Sequence, residues 1–351
     1  MLSRGGEYAL AARLLDDLVI ADLSAGLGAD ALLRARQAAG LAASTGDPVA
    51  FVRHTLVLGV ALAMSSSIDT VRAAEVARIE LPRIASPIDR IHLTALVDLV
   101  AGIGARLTGH LAAARDALHA ARTGAIAAGR PDLAGTALAH LGLVELGAGA
   151  ADAAVTCFWF ARDFHRLAAR RREAVRAAAL AVIVLAAQRR WDQVIALSPA
   201  LRDDADAAGD PALAARMAAI AADAALAAGP GAAGTSELVR DAATRAAALD
   251  DAIGDRRELL VRARLRLART ASEPLEQLRH LEAAFDLGLV AGAAPLLAEA
   301  LDEAVSAALR GGLPAGGWDL IARLIDGLRS LGRHELADVA ATALSELRAR
   351  E

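Results

Sequence analysis

The stretch that decides the fold runs from residue 135 to residue 169 and reads GTALAHLGLVELGAGAADAAVTCFWFARDFHRLAA. Apolar residues recur at helical spacing on both sides of a Gly-Ala-Gly break at 147–149, which predicts two helices joined by a tight turn. Small residues would let these helices approach closely while larger ones fill the space around them. The small residues are Gly142, Ala154 and Ala161, and the larger ones are Leu138, Leu141 and Phe158.

Weaker copies of this hairpin lie on both sides of the stretch. About forty residues earlier, the same offsets hold Gly102, Ala114 and Leu118. About forty residues later, Trp191 and Val194 take the corresponding places, but Ser198-Pro199 follows them. Because proline is disruptive inside a helix, we expect Ser198 to cap a new short helix here.

A helix-opening turn that ends in proline marks the same period. Its prolines are about 80 residues apart. A repeat of about 40 residues, each one a helical hairpin, accounts for both markers. The three copies of the turn are Gly46-Asp47-Pro48, Gly129-Arg130-Pro131 and Gly209-Asp210-Pro211.

These offsets resemble the tetratricopeptide repeat, whose signature is an aromatic, Leu-Gly, a second aromatic, then Ala and Phe, and a closing proline. The resemblance implies an all-α fold: a right-handed α-solenoid of stacked antiparallel helical hairpins, with the first helix of each hairpin lining the concave side. Three positions depart from the signature. Leu138, Glu145 and Arg166 stand where the family has an aromatic, a second aromatic and the proline.

The chain is also similar to the sensory repeat arrays of large bacterial transcription regulators. The similarity rests on the repeat offsets and on two helix endings, AASTGDP at 42–48 and DAAGDP at 206–211. It implies an interaction surface for a protein or a small ligand. It does not imply ATP hydrolysis or DNA binding, because no phosphate loop and no helix-turn-helix is recognisable in the sequence.

The sequence predicts a single tetratricopeptide-like array over residues 1–351, with the best repeats at 88–208. Glycine- and proline-rich loops at 229–234 and 311–317 separate helices without forming a long linker. Outside the best repeats, helices are predicted at 7–23, 29–43, 49–64, 68–80, 211–228, 235–252, 255–269, 274–287, 294–309, 318–330 and 334–348.

Composition excludes several classes of protein. Hydrophobic residues make up 56% of the chain although aromatics make up only 3%, and lysine is absent, which excludes lysine-dependent chemistry. A net charge of −4 argues against a general nucleic-acid binder. The N-terminal segment meets charge too early for a signal peptide, and the longest apolar run, 177–187, falls short of the ~18 residues of a membrane helix. We therefore expect a cytoplasmic protein with no membrane or direct nucleic-acid partner.

The search for catalytic chemistry predicts no enzyme, cofactor or metal. The Gly26–Ala31 match to a dinucleotide-binding loop lacks a preceding strand. His334-Glu335 begins a zinc-protease pattern whose last position is Asp338 instead of histidine. The single cysteine, Cys157, precedes three aromatic residues, which favours a buried, inert thiol over a nucleophile.

Two sets of residues are candidates for binding a partner. The first is an arginine cluster whose members Arg162, Arg166 and Arg170 are predicted to share one helix face. Either a solvated face or a surface for an acidic partner accounts for it. A second arginine group, between Arg256 and Arg269, spreads around its helix and is interpreted as solvated surface. The arginine cluster also contains Arg172 and Arg176, and the second candidate set, on the inner groove, is Arg106, His140 and Leu143.

The sequence thus predicts a non-catalytic scaffold, adaptor or sensor that binds a protein or peptide. The alternative is a small-molecule receptor with an apolar pocket between middle repeats, near Ile183, Leu185 and Trp191. A homo-oligomer is compatible with either function.

Overall fold

The structure is a computed structural model that describes residues 28–63, 67–229, 234–249, 256–310 and 316–348, together with scattered positions between 7 and 19. Within these residues, helices are the only regular secondary structure, which confirms the predicted all-α fold. The helix predicted at 7–23 lies largely outside the described residues. Two compact units are present, unit 1 from Met1 to Val184 and unit 2 from Leu185 to Glu351. The single continuous array stays a prediction.

The helices follow one another in antiparallel pairs, as the predicted hairpins require. Those up to the boundary between the units are α1 Gly28–Ala43, α2 Pro48–Ala63, α3 Ser67–Glu80, α4 Pro87–Leu107, α5 Leu111–Ala127, α6 Pro131–Gly147, α7 Ala151–Leu167 and α8 Arg171–Ala187. The rest are α9 Trp191–Ala207, α10 Pro211–Ala228, α11 Thr235–Ala248, α12 Arg256–Thr270, α13 Pro274–Ala291, α14 Ala294–Leu309, α15 Gly317–Ser330 and α16 His334–Arg348. A short 3-10 turn, Leu81–Arg83, precedes α4.

The turns of the central helices repeat with strict regularity. Each of the helices α5 to α9 is 17 residues long. The turns that flank them contain a residue with positive φ once every 20 positions. Glycine is favoured there because it adopts the left-handed conformation without steric cost. Ala169 and Arg189 adopt the same conformation with φ of 56° and 58°, at a cost of roughly 1–2 kcal/mol each. The glycines of the series are Gly109, Gly129, Gly149 and Gly209.

Close packing inside each hairpin follows the predicted offsets. Phe158 is fully buried, and a Cβ on Gly142 would lie 2.6 Å from its Cε1 atom, so only glycine fits opposite the ring. Gly102 has the same relation to Leu118, whose Cγ would be 2.6 Å away. The small residues at these positions therefore set how closely the paired helices approach.

Three predicted helix boundaries are wrong, and one of them is the end of α13, which lies at Ala291 instead of residue 287. Helix α9 runs without a break through Pro199, so Ser198 does not cap a new helix. Ser198 is buried instead, and its Oγ donates to the Val194 carbonyl one turn back at 2.7 Å. Helix α11 ends at Ala248, four residues before the predicted end, because Leu249 is already extended with ψ of 147°.

Helix α10 is apolar enough to pass a composition test for a membrane span, with a mean hydropathy of 1.3 over Pro211–Ala228. Half of this segment is buried inside the protein. A core helix built from alanine has the same length and composition, so the test is weak evidence of a membrane segment.

The core of unit 2 lies mainly among its last helices. Leu281, Leu297 and Leu324 are fully buried there and belong to one continuous apolar cluster of α12 to α16. This cluster packs α12 against α14, and these two helices carry charged side chains described below.

Candidate functional site

The first helices of neighbouring hairpins in unit 1 lie side by side. Helix α4 contacts both α2 and α6, and α8 joins α6 through Ala177 and Val184, which pack in the apolar clusters of α6 and α7. The side of unit 1 formed by α2, α4, α6 and α8 is called the first-helix face. It carries Arg106, His140 and Leu143, the three groove candidates of the sequence.

Arg106 stands in the last turn of α4 and is half-buried. Its Nε atom is buried and has no hydrogen-bond partner, and no carboxylate of the described residues pairs with the guanidinium. Burial therefore lowers the pKa of Arg106 with nothing to offset it. The side chain still carries its charge at neutral pH, because the ordinary pKa of arginine lies far above 7.

His140 lies on the neighbouring first helix, close enough to Arg106 for the two charges to repel each other. Burial, and then the charge of Arg106, lower the pKa of His140 from 6.5 to about 4. The imidazole is therefore neutral at pH 7. Its Nδ1 atom is buried and has no hydrogen-bond partner. Arg106 and His140 thus bring two buried, unpaired nitrogen atoms to adjacent helices of the same face.

Leu143 is part of the packing of unit 1. It is half-buried and packs against the cluster that contains Phe158, Ala181 and Val184. Its side chain therefore joins α6 to α7 and α8, and the polar candidates of the face are Arg106 and His140.

A second polar group on the first-helix face is internally satisfied. Arg130 donates to both carboxylate oxygens of Asp132 at 2.9 and 2.7 Å, and its Nη1 donates to His92 Nε2 at 2.6 Å. The hydrogen bond from Arg130 lowers the pKa of Asp132, while burial, then Arg130 and Arg53, lower that of His92. These contacts tie the start of α6 to α4.

The arginine cluster does not share one helix face, so that prediction is wrong. Helix α7 ends at Leu167, and Ala169 reverses the chain in the left-handed conformation, which leaves Arg170 in the turn before α8. Arg162 binds Asp163 at 2.8 Å and covers the Trp159 ring at 4.6 Å. The other members are exposed and follow one another across the turn: Arg166, Arg170, Arg172 and Arg176.

The thiol of Cys157 is a weak candidate for nucleophilic chemistry. It is half-buried, and burial followed by the charge of Glu145 raises its pKa above the ordinary thiol value. Glu145 is itself held by Arg115, which donates to its two oxygens at 2.6 and 2.9 Å. In the described part of the chain, no three histidine, cysteine, aspartate or glutamate side chains are grouped to hold a metal ion.

Unit 2 contains an open cavity of about 810 Å³ between α10, α12 and α14. Here the interpretation of the second arginine group as solvated surface is wrong for two members. Arg266 is only 3% exposed and binds both oxygens of Asp223, at 2.6 and 2.7 Å. Arg269 donates to Glu303 at 3.0 Å and to Glu299 at 2.9 Å. The sequence concealed these pairs because the carboxylates lie on other hairpins.

Two of the residues predicted to line an apolar pocket between middle repeats differ in exposure. Ile183 is 42% exposed and Leu185 is 1% exposed. These two side chains therefore point to different sides of α8 and do not line one cavity.

The fold and the first-helix face define a helical-repeat protein of the α-solenoid class. Among solved structures, the apo form of RapI matches with a TM-score of 0.50 and 10% identity, over 78% of this chain and 99% of that chain. A Rap protein complexed with competence and sporulation factor matches with a TM-score of 0.48 and 13% identity, over 97% of this chain and 76% of that one. The likeness to RapI shows the fold alone. No protein-family model and no curated protein sequence matches the chain.

Proposed function

We propose that this protein is a non-catalytic scaffold or sensor that binds a peptide or a peptide segment of another protein on the first-helix face of unit 1. The observation that carries the proposal is the pair of buried nitrogen atoms, Arg106 Nε and His140 Nδ1, which have no hydrogen-bond partner in the described residues. A buried polar group without a partner costs roughly 1–3 kcal/mol, and such groups are rare in folded proteins. A bound acceptor that reaches the exposed part of the half-buried Arg106 side chain would offset the cost of its partly desolvated charge.

A peptide suits this face for two reasons. Helices α2, α4, α6 and α8 offer an extended row of side chains, and extended surfaces of this kind accept a helix or an extended segment. A peptide also carries a carbonyl at every residue, which accepts from an arginine N–H or, in the matching tautomer, from an imidazole N–H.

The exposed part of the arginine cluster is a second contact surface in this proposal. Arg166, Arg170, Arg172 and Arg176 follow one another along the end of α7 and the start of α8. On a chain with a net charge of −4, such a local concentration of positive charge attracts an acidic partner.

A small-molecule receptor is the second candidate function, favoured by the cavity of unit 2. Its volume of about 810 Å³ lies in the range of ligand pockets, roughly 300–1,000 Å³. The cavity is charged, unlike the apolar pocket expected from the sequence. A saturable rise in melting temperature with small polar metabolites, unchanged in Arg106→Gln, supports the receptor over the scaffold.

Selection of a random peptide library on the immobilised full chain tests the scaffold proposal. Peptides are counter-selected on an Arg106→Gln/His140→Leu double variant and on an Arg166→Glu/Arg170→Glu/Arg172→Glu triple variant, both matched to wild type in melting temperature. We expect peptides that bind wild type and lose binding to the double variant. Loss on the triple variant alone moves the surface to the arginine cluster. A library that yields no wild-type binders contradicts the peptide-binding function.

A further inference from the structure

Arg106 differs from Arg115 and Arg130, two other half-buried arginines of its unit, in having no carboxylate partner among the described residues. Arg115 is held by Glu145 and Arg130 by Asp132, each through two hydrogen bonds. Arg122 on α5 also has a buried Nε without a partner, but its charge lies near the Cys157 thiol. At Arg106 a positive charge is partly removed from water, and the neighbouring His140 repels it when protonated.

We propose that Arg106 binds the carboxylate of an acidic side chain in a segment that crosses the first-helix face, with His140 as a second hydrogen-bonding group beside it. This inference rests on the proposed function and adds the chemistry of the ligand. A guanidinium presents paired, coplanar N–H donors that match the two oxygens of a carboxylate. Arg115 and Arg130 bind their own carboxylates in this way within the same unit.

The net charge at the site favours a carboxylate over a phosphate. His140 is neutral at pH 7, so the pair Arg106–His140 carries one positive charge. A carboxylate carries one negative charge and neutralises it. A phosphate monoester carries about −1.5 to −2 and would leave excess negative charge in a partly buried place.

The position of the site favours an acidic side chain over the C-terminal carboxylate of a peptide. Arg106 and His140 lie on α4 and α6, and the face continues to α2 on one side and to α8 on the other. A segment bound at Arg106 therefore has room to continue both ways.

The charge of His140 reports on this site without knowledge of the natural partner. A carboxylate bound at Arg106 offsets the positive field that disfavours protonation, so it raises the pKa of His140 above its value of about 4. The imidazole resonances of His140 in the full chain, followed by NMR as a function of pH, measure that pKa directly.

The test compares two probes at equal concentration and ionic strength, N-acetyl-glutamate amide and N-acetyl-glutamine amide. We expect only the glutamate probe to raise the pKa of His140 in wild type. The rise should vanish in Arg106→Gln and persist in Arg122→Gln, the matched variant at the other arginine with an unpaired Nε. Equal behaviour of the two probes, or a rise that persists in Arg106→Gln, overturns the carboxylate site.

Peptides selected on wild type separate this inference from the proposed function. Replacing their acidic residues by amides, with the C-terminus amidated, should weaken binding to wild type about ten- to a hundred-fold and leave binding to Arg106→Gln unchanged. If the selected peptides lack acidic residues, the peptide-binding function stands and the inference that Arg106 binds a carboxylate is overturned. If the glutamate probe alone raises the pKa of His140 but the library yields no binding peptide, the carboxylate site stands and the peptide-binding function is contradicted.

Discussion

Arg106 of unit 1 and Arg269 of unit 2 are buried to a similar extent but have opposite electrostatic surroundings. For Arg106, burial lowers the pKa and no carboxylate of the described residues offsets this effect. For Arg269, burial acts in the same direction, but its hydrogen bond to Glu303 and the charges of Glu299 and Glu303 outweigh it and raise the pKa. Both arginines stand near the C-terminal end of their helices, α4 and α12, so local helix geometry does not explain the difference.

The difference distinguishes a structural arginine from one available for binding. In unit 2, Arg266 and Arg269 are paired with carboxylates within the fold, which offsets the cost of burying their charges. In unit 1, the fold leaves one charge and two nitrogen atoms unpaired at one place. Buried charges are stabilising only when they are paired and hydrogen-bonded, so an outside partner gains most at Arg106.

The largest expected effect is at the paired site. Glu303 accepts from both Arg269 and Arg310, at 3.0 and 3.4 Å. Glu303→Gln removes the charge that these guanidiniums share and should lower the free energy of unfolding by about 2 kcal/mol. The loss is smaller than for a fully buried pair because Arg269 is part-exposed and keeps its contact with Glu299. Arg106→Gln removes no pair and should leave it unchanged or slightly raised. Urea unfolding measures the free energy of unfolding of both variants. An equal decrease in the two would show that Arg106 and Arg269 do not differ in the way described.

The next effect is a pH dependence that belongs to unit 1. The folded pKa of His140, about 4, lies below the unfolded value of about 6.5, so the unfolded chain takes up this proton first as pH falls. The contribution is fully present above pH 6.5 and is lost progressively down to about pH 4. Partial solvent contact limits the loss to about 2 kcal/mol.

His140→Leu isolates this contribution from the other histidines. His92, His165 and His280 also have lowered pKa values, with burial as the first cause, and lose stability in the same direction. Urea midpoints measured between pH 7 and pH 4 should therefore fall less steeply for His140→Leu than for wild type. Parallel curves for the two proteins would mean that His140 titrates normally in the folded chain.

The smallest effect concerns the backbone and serves as a control for the charge argument. Ala169→Gly relieves a left-handed residue and should raise the free energy of unfolding by about 1 kcal/mol. Gly149→Ala, at the equivalent turn one helix earlier, should lower it by about the same amount. Thermal unfolding gives both signs. Peptide binding at Arg106 should be the same in both variants, and a change in affinity would show that the turns, not the charges, control the face.

The repeat pattern was sufficient to predict the fold because its determinants are local. The small residue at Gly142 and the aromatic at Phe158 lie within one hairpin, and the structure confirms their contact. The proline-ended turns are equally local, since a left-handed glycine at Gly46, Gly129 and Gly209 needs no information from elsewhere in the chain.

The parts that sequence reasoning missed depend on where neighbouring helices lie. Arg266 reads as surface until Asp223, on another hairpin, is placed beside it at 2.6 Å. Arg170 reads as helical until the turn at Ala169 is known, because alanine does not signal a left-handed residue. The proximity of Arg106 and His140 follows from the stacking of α4 and α6. The sequence predicted only that the two residues share the inner groove.

Hydrogen exchange of the full chain with and without a selected peptide tests the central claim most directly. If the first-helix face is the binding surface, the peptide should slow exchange in α4 around Arg106 and in α6 around His140, and the effect should disappear with Arg106→Gln. Protection confined to the arginine cluster between Arg162 and Arg176, or to the helices around the cavity of unit 2, would contradict the claim.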